Sequence, residues 1–268
     1  MKYLNLACGN RYYKDWVNID FVSSIEDVIA HNLLNGIPFD SNYFDGVYHS
    51  HVLGHFSKEQ GVYFLSECYR VLKTGGVIRV VVPDLEQLAK EYLQALTNVS
   101  NSENEMTRAN YEWSVIELID EMVREKPGGE MLNYWRQSII INEDQIVRRV
   151  GHEFLRIREY IVKNNFQVNS ETEFKPTMKS RFKKSILKKM DIVPEDAQLG
   201  KFRNSGELFK WMYDRYSISR ILKEIGFSDV KIQTADQSYI VDWDKYPDLD
   251  LEKGNVRKPD SLFIEAIK

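Results

Sequence analysis

Two groups of residues in this chain have the types and spacing to do chemistry. The first is the run Leu6-Ala7-Cys8-Gly9-Asn10, followed about 11 positions after its glycine by Asp20 at the end of WVNID. A glycine behind a short strand lets backbone approach a ligand, and a carboxylate at the tip of the next strand can accept both hydroxyls of a ribose. Taken alone, the glycine also fits any tight turn. The second group is His49, His51 and His55. Histidine is the side chain best suited to take a proton near neutral pH. If the segment is a strand, His49 and His51 point to one face. Either one of them meets a substrate, or both satisfy hydrogen bonds at a strand end. Histidines spaced two and four apart with no third ligand nearby do not specify a metal.

The elements that must position these residues read as an α/β alternation. YLNLAC and WVNID are the first two strands, VIAHNLL is a weaker third and GVYHSHVL the next. From Lys58 to Leu72, Val62, Phe64, Leu65, Cys68, Tyr69 and Leu72 recur at helical spacing, and Thr74-Gly75-Gly76 is expected to end that helix. VIRVVVPD follows as a near-continuous apolar strand, the kind buried within a parallel sheet. From about 85 to 205 the chain turns polar and helical in period, as an insertion would. ELFKWMYDRYSISRILKEIGF then predicts an amphipathic helix closed by Gly226, and DVKIQT and SLFIEAIK predict two final strands.

Composition sets the bounds. The chain has 268 residues, 43% of them apolar and 28% charged, which suits one soluble core with a large insertion. Its net charge of −4 argues against a general nucleic-acid binder. MKYLNLACGN lacks the apolar stretch of a signal peptide, and no run approaches the roughly 18 apolar residues of a membrane-spanning helix. The expected location is therefore cytoplasmic, with Cys8 and Cys68 reduced.

LNLACGN, NID, IPFDSNYFDGVYHSHVLGHF and ECYRVLKTGGVIRVVVPDLE, in that order, resemble class I S-adenosylmethionine-dependent methyltransferases, and more narrowly their type 11 group. The resemblance is close over residues 3–93 and resumes at WMYDRYS, Gly226-Phe227 and RKPDSLFIEAIK. It implies a doubly wound, mostly parallel seven-stranded Rossmann-like sheet with helices on both faces, closed by an antiparallel hairpin. Residues 1–99 and 206–268 would form the core, and 100–205 a helical insertion that acts as an acceptor lid. The implied cofactor is S-adenosylmethionine. Leu6, Ala7, Cys8, Gly9 and Asn10 would line its methionine part, Asp20 its ribose, and Phe21, Asn32 and Leu33 its adenine side. His49 and Ser50 would close the site. His51 is the expected general base, with His49 and Asp84 as further catalytic candidates. Three residues depart from the family pattern: Ala7 replaces a glycine, Asn32 an Asp and Gly54 a Glu.

The resemblance leaves several acceptors open. Members similar to this chain suggest O-methylation of a sugar hydroxyl in a glycan or lipid-linked precursor. The alternatives are a quinone or other aromatic small molecule, or a catalytically weakened cofactor-binding module. A Rossmann dehydrogenase is disfavoured because the turn lacks G-x-G-x-x-G. In KSRFKKSILKKM, residues 179–190, six basic residues and no acidic one accompany Phe182, Ile186, Leu187 and Met190 on one helical face. That stretch reads either as a solvated face or as a peripheral contact with an anionic membrane or acceptor.

Overall fold

Alternate residues of each central strand go to opposite faces of one sheet, and the two faces are covered by different means. The computed structural model describes residues 1–165 and 195–268. Its main sheet has the order β3-β2-β1-β4-β5-β9-β6. These strands are β1 (Tyr3–Leu6), β2 (Val17–Asp20), β3 (Val28–Ala30), β4 (Phe44–Ser50), β5 (Leu72–Pro83), β6 (Ser228–Gln233) and β9 (Ser261–Ile267). β7 (Leu251–Glu252) and β8 (Asn255–Val256) form a separate small pair. β1 to β5 pair in parallel, and β9 lies antiparallel between β5 and β6. The order reverses between β1 and β4, where such sheets open a crevice at the carboxyl ends of their strands.

Leu4, Leu6, Val47, Ile78, Val80 and Ile264 face one way and pack against Phe64, Leu65 and Cys68 of α1 (Lys58–Val71) and Ile218, Ile221 and Leu222 of a later helix. Ser57 and Gln60 form a capping box that starts α1. The expectation that Thr74-Gly75-Gly76 ends this helix is corrected: it stops at Val71, because Leu72 already pairs with Phe44 as the first residue of β5. Gly75, at φ 79°, instead turns that strand to meet the C-terminus, through Gly75 N to Lys268 O at 2.8 Å.

The opposite face departs from the expected arrangement. Among the described residues no α-helix joins β1 to β2, β2 to β3 or β3 to β4, only a short 3-10 turn, Leu33–Asn35. Among the described residues, helices therefore cover one face only. The other face, with Tyr3, Tyr48, Val77, Val81 and Phe263, is sealed by Trp16 and by Ala235, Ile240, Trp243, Tyr246 and Leu249 from the segment between β6 and β7. Beneath that cover lies Arg79 of β5, with 0% of its side chain exposed. Its Nε donates to Asp250 at 2.8 Å, and Nη1 to Glu265 at 2.9 Å and to the Gln237 carbonyl at 2.8 Å. Nη2 donates to the Thr234 and Ala235 carbonyls, and the Trp243 ring stacks 4.5 Å from the guanidinium.

After β5 the chain builds a helical module: α2 (Leu85–Asn101), α3 (Glu105–Val123), α4 (Gly129–Trp135), α5 (Glu143–Val150), α6 (His152–Asn165) and, past residues 166–194, α7 (Glu195–Arg203). It has its own core of Trp113, Tyr134, Trp135, Ile146 and Phe154. The basic stretch 179–190 lies outside the described residues. The helix predicted over 207–227 begins only at Arg215, as α8 (Arg215–Ile225), with Asp214 capping Tyr216 N and Ser217 N. The seven residues before Asp214 are not helical because Leu208, Phe209 and Tyr213 are buried, while Phe209 N donates to Glu121 O, Lys210 N and Trp211 N donate to Gly54 O, and Tyr213 O accepts from Leu85 N. None of the helices among the described residues is long and apolar enough to cross a membrane.

Removing the Arg79 guanidinium would leave Asp250 and Glu265 buried without their cation. Arg79→Leu should lower the unfolding free energy by about 3–5 kcal/mol. A urea denaturation midpoint unchanged from the parent would show that the network adds nothing to stability.

Candidate functional site

At the end of β1 the backbone turns through two left-handed residues, Ala7 (φ 53°) and Gly9 (φ 55°). Cys8 N donates to Ile19 O at 3.2 Å, and Gly9 N donates to Asp20 Oδ2 at 2.7 Å. The acid at the tip of β2 thus holds the turn. A Cβ at Gly9 would meet nothing within 4 Å, so the glycine supplies conformation and leaves open space over the turn. Leu6 is fully buried beneath it, and Asn10 is exposed. Burial pushes the Cys8 thiol up to about 12, so it stays protonated near neutral pH. Beyond Asp20, Phe21 and Val22 present two apolar side chains to solvent, at 66% and 67% exposure. Asn32 caps the turn Leu33–Asn35, its Oδ1 accepting from Leu34 N at 3.0 Å, while Leu33 is buried.

The three histidines part company. His49 is fully enclosed on the helix-covered face, its ring 5.0 Å from that of Phe64. Neither of its nitrogens has a partner among the described residues, and burial lowers its pKa to about 3. β4 ends at Ser50, and His51 takes φ 56°, which breaks the strand alternation. The expectation that His49 and His51 share a face is therefore corrected. His51 Nε2 lies 2.8 Å from Ser261 Oγ, and burial, then Lys258 and Arg257, hold its pKa well below the usual histidine value. His55 Nδ1 lies 3.0 Å from the Leu208 carbonyl, and its ring packs on Phe209. Ser50 Oγ accepts from Arg257 Nη2 at 3.3 Å. Asp84 caps α2, accepting from Glu86 N at 3.0 Å, while its own amide donates to the Asp260 carbonyl.

Of the three, His51 lines a cavity of about 70 Å³ between the carboxyl ends of the strands and the helical module. Its walls include Pro83, Leu88 of α2, Glu117 of α3, Trp135 of α4, and Lys258 and Asp260 before β9. Glu117 Oε1 accepts from Arg149 Nε at 2.9 Å, with both side chains buried. Burial pushes Glu117 up to about 7, against the pull of Arg149. Nothing in the local sequence pattern singled out Glu117, Lys258 or Asp260. The closest to a signal is the position of Glu117, which follows Trp113 by one helical turn on α3 and so shares its inward face.

Comparison with known proteins bears on this arrangement. Residues 8–80, from the turn through β5, match a methyltransferase-domain family of the type 11 group. This segment is a methyltransferase domain. The match covers 73 of the 268 residues, 8–80, and the sheet order observed accords with it. No curated protein matches it. Among solved structures it is similar to a SAM-dependent methyltransferase from Archaeoglobus fulgidus, at 14% identity and TM-score 0.39, covering 100% of this chain and 86% of that one. A putative methyltransferase from Bacillus halodurans C-125 has 12% identity and TM-score 0.37, with 100% and 92% covered.

The three departures from the type 11 pattern have different physical consequences. Ala7 keeps the left-handed turn at a conformational cost of about 1–2 kcal/mol that glycine would avoid. Asn32 retains an acceptor oxygen but already uses it in the turn. Gly54 is required by packing: a Cβ there would lie 3.1 Å from the Phe209 ring and 3.2 Å from the Trp211 carbonyl. Its own carbonyl accepts from Lys210 N and Trp211 N. Gly54→Glu, which restores the family residue, should therefore destabilise the fold by about 1–3 kcal/mol through overpacking. An unchanged thermal midpoint would mean that residues 209–211 yield without cost.

Proposed function

We propose that the enzyme O-methylates a sugar hydroxyl of a glycan or lipid-linked precursor, with the cofactor over the Leu6–Asn10 turn and the acceptor entering beside His51. The observation that carries the cofactor half is the hydrogen bond from Gly9 N to Asp20, which presents the carboxylate next to open space. Asp20 Oδ1 would accept from the ribose hydroxyls, and Leu6, Ala7, Cys8 and Asn10 would line the amino-acid end. Phe21 would cover the adenine, with Asn32 offering its shared amide oxygen and Leu33 packing below. Ser50, anchored to Arg257, would close the site toward the acceptor.

When bound, the cofactor supplies a sulfonium methyl: the acceptor oxygen bonds to the methyl carbon as the carbon–sulfur bond breaks and its electron pair stays on sulfur. With Nε2–H of His51 donated to Ser261 Oγ, Nδ1 is the nitrogen left to accept the hydroxyl proton. The helical module and the aromatic cover would exclude water and hold the reactants in line. In this reading His49 packs the core and Asp84 caps α2, so neither takes part in proton transfer.

Two outcomes test the reading. Asp20→Ala should weaken S-adenosylmethionine binding by about 1.5–3 kcal/mol, the usual loss for hydrogen bonds to a charged group. Calorimetry that detects no binding by the parent would sink the cofactor assignment. His51→Gln should reduce turnover by about 10²–10⁴-fold with cofactor affinity intact. Because the His51 pKa lies well below the ordinary value, the ring is already unprotonated at neutral pH. The kcat should therefore stay level on acidification to pH 6, whereas a decline centred on the ordinary histidine value would assign the proton to another group.

A further inference from the structure

The cavity beside His51 combines three features that the cofactor site does not use. Its lining is predominantly acidic: Glu117, Glu121, Glu153 and Asp260 face it, against Lys258 and the His51 ring. It also holds polar atoms with nothing to bond. Trp135 lines the cavity at 5% exposure, and its Nε1 has no partner among the described residues. Asp260 Oδ1 and, behind Glu117, Arg149 Nη2 are buried and unpartnered in the same sense. Buried polar atoms are nearly always satisfied by protein, water or a ligand, so the two on lining residues, Trp135 Nε1 and Asp260 Oδ1, mark the cavity as a place for a polar guest. Finally, a cavity of about 70 Å³ has room for a few water-sized groups, hence for the reacting end of a molecule and not for its whole body.

We propose that this cavity seats the reacting end of the acceptor, and that Glu117 and Asp260 select an end bearing hydroxyl or amine donors and no negative charge. The proposal rests on the methyl-transfer reading, since it takes the cavity as the acceptor's seat. Carboxylates receive hydrogen bonds from hydroxyl and ammonium groups, whereas an anion entering here would meet like charges in a poorly hydrated space. Glu117 faces Arg149 from α5, Asp260 from the segment before β9, Glu91 from α2 and, across the cavity, Lys258 and His51. Its carboxyl and that of Glu121, one turn further along α3, are both held up to about 7 by burial, so the cavity gains negative charge as pH rises through neutrality, and an ammonium end should bind better at pH 8 than at pH 6.

The test uses the full chain and three small probes of similar size: ethanolamine, ethylene glycol and glycolate. Binding is followed at the indole N–H resonance of Trp135, assigned with Trp135→Phe. Ethanolamine and ethylene glycol should shift that resonance, ethanolamine more tightly at pH 8 than at pH 6, and glycolate should bind at least about tenfold more weakly than ethanolamine. In the double variant Glu117→Gln/Glu121→Gln, which removes both carboxyls held up to about 7, the pH dependence should vanish. If that variant loses its fold by circular dichroism, Asp260→Asn, which leaves the Arg149 pair intact, should still lower ethanolamine affinity. No shift with any probe, or glycolate binding as well as ethanolamine, would overturn the proposal. Calorimetry with S-adenosylhomocysteine on the same samples separates the two readings. If it binds while the probes fail, only the cavity assignment falls; if it fails while the probes bind, the methyl-transfer reading falls and the acceptor assignment with it, leaving a cavity that selects donors over anions.

Discussion

The buried guanidinium of Arg79 is the constraint on which one whole face of the sheet depends. A charge with no exposure must find both countercharge and a partner for every N–H, and Arg79 finds them in Asp250, Glu265 and three backbone carbonyls. Those carbonyls belong to residues 234–237, and Asp250 lies beyond the turns Trp243–Lys245 and Pro247–Leu249. The arginine thereby fixes both ends of an irregular segment across the strands. Tyr48 adds a further bond to Asp250 at 2.7 Å, and Tyr239 N and Ser238 bond to Glu265. Because a half-satisfied network of this kind costs more than an apolar core, the segment has one way to lie down.

That cover explains how the parallel strands β1, β2 and β3 manage without crossover helices. Parallel strands are buried on both faces, and helices in the connections usually do the covering. Here Trp16 from the connection between β1 and β2 packs against Tyr3 and Tyr246, and Tyr13 against Tyr246. The short connections leave the Ala7 to Gly9 turn tied to β2 through Asp20 rather than to a following helix. A charged end anchors it further, as Arg11 pairs with Glu252 of β7 at 2.9 Å.

The helical module meets the sheet at the carboxyl ends of the strands, and backbone hydrogen bonds and the ion pairs Arg156–Glu252, Arg215–Glu86 and Lys258–Glu153 fix it there. Asp84 N and Leu85 N bond to Asp260 and Tyr213, and Phe209 N bonds to Glu121. Asp120 spends its carboxylate inside the module, holding Glu130 N at 2.7 Å and Arg124 at 2.7 Å. The acids that are left, Glu117 above all, face His51 across the cavity.

How much of this was legible in the sequence follows from the range of the forces involved. Gly9, Asp20, the strands on either side and α1 were readable because turn conformation, strand alternation and helical period are local properties of consecutive residues. The antiparallel pairing of the last two strand candidates was legible through family resemblance, and the sheet bears it out. The bounds of α1 and α8 were misplaced where a distant partner won: Leu72 pairs with Phe44, and residues 208–213 are drawn into extended contact with Gly54 and Glu121. The separation of His49 from His51 turned on a single left-handed residue that no side-chain pattern announces. Arg79 read as one polar interruption in an apolar strand, and its partners lie 155 to 186 positions away. The sequence by itself therefore determined the glycine turn at the end of β1 and the order of its supporting elements. Only the tertiary structure decided which charged residues are buried together, because desolvation makes a charge seek partners by distance in space and not along the chain.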